Sequence, residues 1–195
     1  MTLKRICVFC GSSPGSRPEY AAAARRLGGL LAWRKIGLVF GGGRVGMMGH
    51  LARAARERGG EVIGVIPREL YEKQVAFTGL SDLRVVGTMH ERKALMAELA
   101  DGFIALPGGI GTYEEFFEVL TWAQLGIHNK PCALLNVDGF YDPVLRLLDH
   151  AVEEGFIPPA HRGLALVEAV PARLLDALSA HTPPRLHKWI DKDKV

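Results

Sequence analysis

The chain has 195 residues and a mass of 21.3 kDa, with 48% hydrophobic and 23% charged residues. That size and balance fit one soluble domain with a full core and leave no room for a long disordered segment. A net charge of +3 without a lysine–arginine block excludes a basic nucleic-acid-binding stripe, and no apolar stretch approaches the roughly 20 residues that span a bilayer.

The N-terminus leads straight into a strand-like run with no cleavable signal, so a cytoplasmic protein is expected. Residues 4–10 predict a buried strand. Cys7 and Cys10 lie on it three residues apart and face opposite sides, which argues against a thiol pair or zinc knuckle and for two small buried residues. The loop at residues 11–15 is rich in small, donor-bearing residues, among them Ser12. A helix follows from about Pro18 to Arg34, with proline where a first turn tolerates it.

A second strand at residues 37–40 runs into Gly41-Gly42-Gly43-Arg44-Val45-Gly46, and a helix continues through Arg58 to the stop at Gly59-Gly60. Gly41, Gly43 and Gly46 match the spacing of a dinucleotide fingerprint. They follow the second strand rather than the first, and Pro67-Arg68 stands where a nicotinamide cofactor needs a ribose-binding acid, so NAD(P) is not expected. Residues 61–66 form a third strand. Residues 67–80 have no clear period and read as a loop with a helical turn, able to fold over a site; residues 83–86 make a fourth strand.

The helix over residues 89–100 is capped by Thr88, with Glu91 three residues on. Its positions 92, 95, 96 and 99 form one stripe, of which Leu95, Met96 and Leu99 are apolar. Arg92 therefore heads an inward face. A shielded guanidinium needs an anionic partner; the alternative is a packed stem with the head reaching solvent.

The centre of the chain is residues 101–126. A short apolar run breaks at Pro107-Gly108-Gly109 and resumes as a helix in which Phe116, Val119, Leu120 and Ala123 share a face. Strand, glycine turn and helix start together make a phosphate site, because main-chain amides and the positive end of the helix dipole converge there. Thr112 and Glu115 have the spacing of a capping box as well, which is a purely structural use of the same residues. The sequence leaves both readings open.

Beyond lie a strand at residues 132–136, a helix at 142–153, a strand at 164–167, a helix at 171–180 and a polar tail at 181–195. Strands and helices alternating in this way predict an α/β fold, a Rossmann-like doubly wound parallel sheet in a three-layer sandwich, with residues 1–180 as one catalytic domain. The glycine loops after strands one, two and five would share one edge.

Pro107-Gly108-Gly109-Ile110-Gly111-Thr112-Tyr113-Glu114-Glu115 resembles the PGGxGTxxE motif of the LOG family of cytokinin riboside 5′-monophosphate phosphoribohydrolases, once labelled lysine decarboxylases. Met89-His90-Glu91-Arg92-Lys93 resembles that family's second signature, and the similarity runs through Cys10-Gly11-Ser12-Ser13 and the triple glycine. The resemblance implies a homodimer that hydrolyses the N-glycosidic bond of adenosine 5′-monophosphates, plain or N6-modified, with no cofactor and no metal. It places catalysis on Arg92 and Glu115. It places substrate contacts on Ser12, Gly43, Lys93, Gly109, Ile110, Gly111, Thr112 and Thr121, and on Gln74, where many members carry glutamate.

Two other readings share these residues. One is a non-catalytic carrier of a nucleotide or phosphorylated cofactor, which could dispense with Glu115. The other is pyridoxal phosphate chemistry, for which Lys93 is the one lysine in a recognisable motif. A surplus of apolar area in Phe116, Phe117 and Trp122 points to a subunit interface.

Overall fold

The computed structural model describes residues 2–73, 75–80 and 82–182. In chain order the elements are β1 (Arg5–Phe9), α1 (Pro18–Trp33), β2 (Gly37–Phe40), α2 (Gly46–Arg56), β3 (Val62–Pro67), α3 (Arg68–Glu72), β4 (Asp82–Val86) and α4 (Met89–Leu99). They continue with β5 (Gly102–Ala105), α5 (Ile110–Gln124), β6 (Cys132–Leu135), a 3-10 turn (Val137–Gly139), α6 (Asp142–Glu153), α7 (Pro159–Arg162), β7 (Ala165–Glu168) and α8 (Pro171–Ala180).

The strands pair in the order β4-β3-β2-β1-β5-β6-β7, every pair parallel. β1 sits centrally; the chain builds outward through β2, β3 and β4, then crosses to β5 on the other side of β1. The β1–β5 boundary is thus the point where winding reverses, and the loops leaving the two strands splay apart there to form a crevice.

Both faces of the sheet are covered, so the strands are apolar on both sides. Ile6 and Val8 of β1 join one core with Leu27, Leu31, Leu51, Leu174 and Leu178 from α1, α2 and α8. Cys7 and Phe9 join the opposite core with Met96, Phe116, Val119 and Leu148 from α4, α5 and α6. Cys7 and Cys10 fall in different cores, as the period of two requires.

The departures from the sequence reading are local. The helical turn expected within residues 67–80 is α3, and the following segment pairs back on the second glycine loop: Arg44 N–H donates to Val75 O (3.0 Å) and Phe77 N–H to Gly42 O (2.8 Å). Helix α5 begins at Ile110, two residues before Thr112, with Gly109 as its extended N-cap. Phe116 is buried, and Phe117 and Trp122 pack against the same core, so this chain's own interior accounts for the apolar area assigned to an interface. Helix α7 and the 3-10 turn had no signal in the apolar period. Residues 183–195 of the expected tail lie outside the described residues. No helix among the described residues is long and apolar enough to cross a membrane.

Glycines fix how closely the loops meet. Gly46 adopts φ +60°, and a Cβ there would stand 2.1 Å from the Ser12 carbonyl oxygen, so the third glycine of the apparent fingerprint serves loop-to-loop packing. Gly11 N–H donates to Pro107 O at 3.2 Å, joining the loops after β1 and β5. Tyr141, wholly buried, donates its hydroxyl to Leu106 O at 2.6 Å and anchors the strand end from which the central glycine turn departs. Tyr141→Phe should cost about 1–3 kcal/mol by leaving a buried carbonyl short of a donor. A lowered urea midpoint with an unchanged slope is the expected result.

Candidate active site

The loops after β1, β2 and β5, with the starts of α4 and α5, enclose a cavity of about 510 Å³. Ser12, Arg92, Gly109, Gly111, Thr112 and Glu115 are among its polar and glycine lining, and Val45, Met48, Ile66, Leu70, Val75 and Met89 among its apolar lining. Gly43 and Ile110 line it too, so eight of the candidate site residues singled out from the sequence meet in one place.

The two helix starts that frame the cavity end differently. At α4 the Thr88 hydroxyl accepts from Glu91 N–H at 3.1 Å, and the Glu91 carboxylate reaches back to Gly87 N–H at 2.8 Å. That end is satisfied by its own side chains. At α5 no side chain caps the helix, and its first turn holds no acid. The first intrahelical bond inside the turn runs from Tyr113 N–H to Gly109 O at 3.1 Å, which leaves the amides of Ile110, Gly111 and Thr112 ahead of the ladder. An uncapped start of a 15-residue helix, opening into a cavity, is suited to an anion.

The capping-box reading fails on register. With α5 starting at Ile110, Thr112 stands inside the first turn and Glu115 in the second, too far along to bond the helix start. Glu115 turns inward instead. Its Oε1 accepts from Arg92 Nη1 at 2.5 Å, while Arg92 Nε donates to Val65 O at 3.2 Å. Both side chains are only 9% exposed, so the inward arginine has the anionic partner that burial demands. The third face of the guanidinium lies on Gly41: a Cβ at Gly41 would come within 2.2 Å of Arg92 Nη2. β2, β3, α4 and α5 thus each supply one part of the seat.

Burial pushes the Glu115 carboxyl above its ordinary 4.5; Arg92 and Lys93 pull it down and Glu114 pushes it up, and the net direction is upward. The thiols of Cys7 on β1 and of Cys10 just beyond it are held protonated by burial and do not compete for the role of nucleophile.

Two candidate residues lie elsewhere. Lys93 is absent from the cavity wall and bonds Glu114 and, at 3.0 Å, Glu118 on α5. Thr121 is exposed near the end of α5, with its hydroxyl donating to Phe117 O at 2.7 Å. Gln74 is outside the described residues, although its neighbour Val75 lines the cavity. Sequence reasoning missed Gly41 as the seat of Arg92, although it had marked the glycine run. It also missed the apolar wall of Val45, Met48, Leu70 and Met89, whose residues come from three separate segments with no common period.

The sequence family described as "Possible lysine decarboxylase" matches residues 48–178. A probable cytokinin riboside 5′-monophosphate phosphoribohydrolase of Oryza sativa subsp. japonica is 53% identical over 92% of this chain and 79% of its own length. Cytokinin riboside 5′-monophosphate phosphoribohydrolases of Rhodococcoides fascians and Arabidopsis thaliana are 54% identical over 85% of this chain and 84% of their own, and 50% over 92% and 83%, respectively. Among solved structures, the molybdenum cofactor binding protein from Rippkaea orientalis superposes with a TM-score of 0.69 at 23% identity, covering 92% of this chain and 98% of its own, a likeness of fold alone. Half of all positions shared over most of both chains leaves one conclusion: this protein is a member of the cytokinin riboside 5′-monophosphate phosphoribohydrolase family.

Proposed function

We propose that the protein hydrolyses the N-glycosidic bond of adenosine 5′-monophosphates, plain or N6-modified, releasing the free base and ribose 5-phosphate. The observation that carries this reading is the buried Arg92–Glu115 pair, set beside the uncapped start of α5 in one cavity. The phosphate binds the amides of residues 110–112 and the Ser12 hydroxyl, with Thr112 alongside. This remote contact fixes the sugar over Glu115 without taking part in bond breaking.

Cleavage of C1′–N9 leaves positive charge on the ribose ring. The ionised Glu115 stabilises that charge and accepts a proton from the attacking water, whose oxygen bonds to C1′; the bonding pair departs with the base, which takes up a proton at nitrogen. Arg92 holds the carboxylate in orientation through its bond to Oε1, and its own position is set by Val65 O and Gly41. The apolar lining residues, among them Val45, Leu70, Val75 and Met89, receive the base and any hydrophobic N6 substituent.

The decarboxylase description attached to the matching family does not fit these residues. A pyridoxal aldimine requires a lysine at the bound aldehyde, and among the described residues no lysine lines the cavity. A carrier role has no use for a buried acid–guanidinium pair. The same reading extends to a cytoplasmic homodimer. Exposed Leu125, Ile127, Leu147 and Phe156 supply apolar area for a partner copy, and light scattering tests the stoichiometry.

Three outcomes follow from this assignment. Glu115→Gln keeps the shape and one acceptor for Arg92, so it should lower release of adenine from AMP about 10²–10⁴-fold while the circular dichroism spectrum is retained. A fully active variant would remove the carboxylate from the mechanism. Because ionised Glu115 is the working form and burial raises its pKa, kcat/KM should fall with decreasing pH through an apparent pKa above 4.5, as read from initial rates across a pH series. Gly41→Ala places a methyl where Arg92 Nη2 lies. The displaced guanidinium should cut kcat about 10–10²-fold with a small stability loss, and single-turnover rates separate that from a binding defect.

A further inference from the structure

Lys93 follows Arg92 on α4, and Glu114 precedes Glu115 on α5, so the two helices are joined by two adjacent ionic links. The inner one is Arg92–Glu115. The outer one is Lys93 with Glu114 and, at 3.0 Å, Glu118, one helical turn further along α5. An exposed lysine pair contributes little to a fold. Here the Lys93 side chain is only 10% exposed, close to the 9% of Arg92, while Glu114 is 50% and Glu118 25% exposed. A lysine stem this covered, with its ammonium shared between two carboxylates, holds one geometry.

We propose that Lys93 is a positioning residue: with Glu114 and Glu118 it clamps α4 to α5 and so sets the register at which Arg92 meets Glu115. The inference rests on the phosphoribohydrolase reading for its effect on turnover. The clamp lies outside the cavity wall, so it acts through Glu115 and does not touch substrate. It acts by charge as well as by geometry. Glu115 feels Arg92 and Lys93 from α4 and Glu114 from its own helix, with the protonated thiols of Cys7 on β1 and Cys10 just beyond it within electrostatic reach. Removing Lys93 leaves Glu114 uncompensated beside the catalytic carboxylate; removing Glu114 and Glu118 leaves the ammonium uncompensated. Burial pulls the Lys93 ammonium down, yet its hydrogen bonds to Glu114 and Glu118 outweigh that and keep it charged throughout.

The test compares Lys93→Met, which keeps the stem, with the double variant Glu114→Gln/Glu118→Gln, using AMP as substrate. Both should lower kcat about tenfold and leave KM within about twofold, because each frees α4 from α5. The Glu115 titration should then move in opposite directions, up in Lys93→Met and down in the double variant. Carboxyl ¹³C NMR reads that titration in protein that turns over nothing, so the clamp stands or falls separately from the enzymatic assignment, which the unmodified protein tests by itself. Lys93→Arg should recover most of the lost kcat. A raised KM with unchanged kcat in Lys93→Met would make Lys93 a substrate contact and overturn the proposal. So would a double variant with the kcat and Glu115 titration of the original chain.

Discussion

A carboxylate and a guanidinium held together out of water determine how the rest of this molecule must be built. Each ion alone would lose several kcal/mol on leaving water, and removing one partner of such a pair typically costs about 3–5 kcal/mol. The contact between Arg92 and Glu115 therefore has to be made by elements that cannot drift apart. The fold meets that demand with the β3 carbonyl of Val65 on one edge of the guanidinium, the bare backbone of Gly41 against another, and Glu115 on the third. Only a residue without Cβ fits at Gly41. The glycine run after β2 is thus a seat for a neighbouring side chain, and its likeness to a dinucleotide fingerprint is a coincidence of spacing.

The sheet order supplies the remaining geometry. Because winding reverses between β1 and β5, the loops leaving these strands open a crevice at the carboxyl edge. α5, which follows β5, points its amino end into that crevice. The glycines then let three loops pack closely enough to wall the crevice, with Gly46 on Ser12 and Gly11 on Pro107. The contrast between the two helix starts follows from use. α4 satisfies its own amides with Thr88 and Glu91, while no side chain caps α5, whose first residues line the cavity. A helix that forgoes a cap gives up about 1 kcal/mol of stability, which under the proposed reading a bound phosphate would return.

Much of this was legible in the chain. Seven apolar runs spaced by amphipathic stretches sufficed for a doubly wound parallel sheet, because strand and helix periods differ and crossover connections have one hand. Arg92 at the head of an apolar stripe announced a buried cation in need of an anion. What could not be read was register. Thr112 and Glu115 have the spacing of a cap, and only the placement of Gly109 in an extended conformation moves the helix cap back by three residues from Thr112, turning Glu115 from the helix end toward Arg92. Glycine has weak local preferences, so where a glycine-rich turn ends is decided by tertiary packing. The apolar wall was illegible for a related reason: Val45, Leu70 and Met89 share no segment and no period, and only the fold makes them neighbours. Lys93 was marked through its motif, but a sequence does not say whether a lysine beside a catalytic arginine faces a phosphate or a carboxylate.

The position of Lys93 bears on how such a site balances rigidity against reactivity. A carboxylate that must stabilise a ribosyl cation has to be ionised, dry and free on one side; a salt bridge strong enough to hold it could also quench it. Arg92 alone would supply both the orientation and the quenching. Placing a second cation one residue away, engaged by Glu114 and Glu118 and outside the cavity, separates those tasks: helix-to-helix alignment comes from the outer link, and Arg92 needs to make only one hydrogen bond to Glu115. The acids of the outer link also cancel the charge that Lys93 would otherwise add beside the site. Glu115 therefore keeps a pKa raised above the ordinary carboxylate value chiefly by burial, with Arg92 as the main opposing influence.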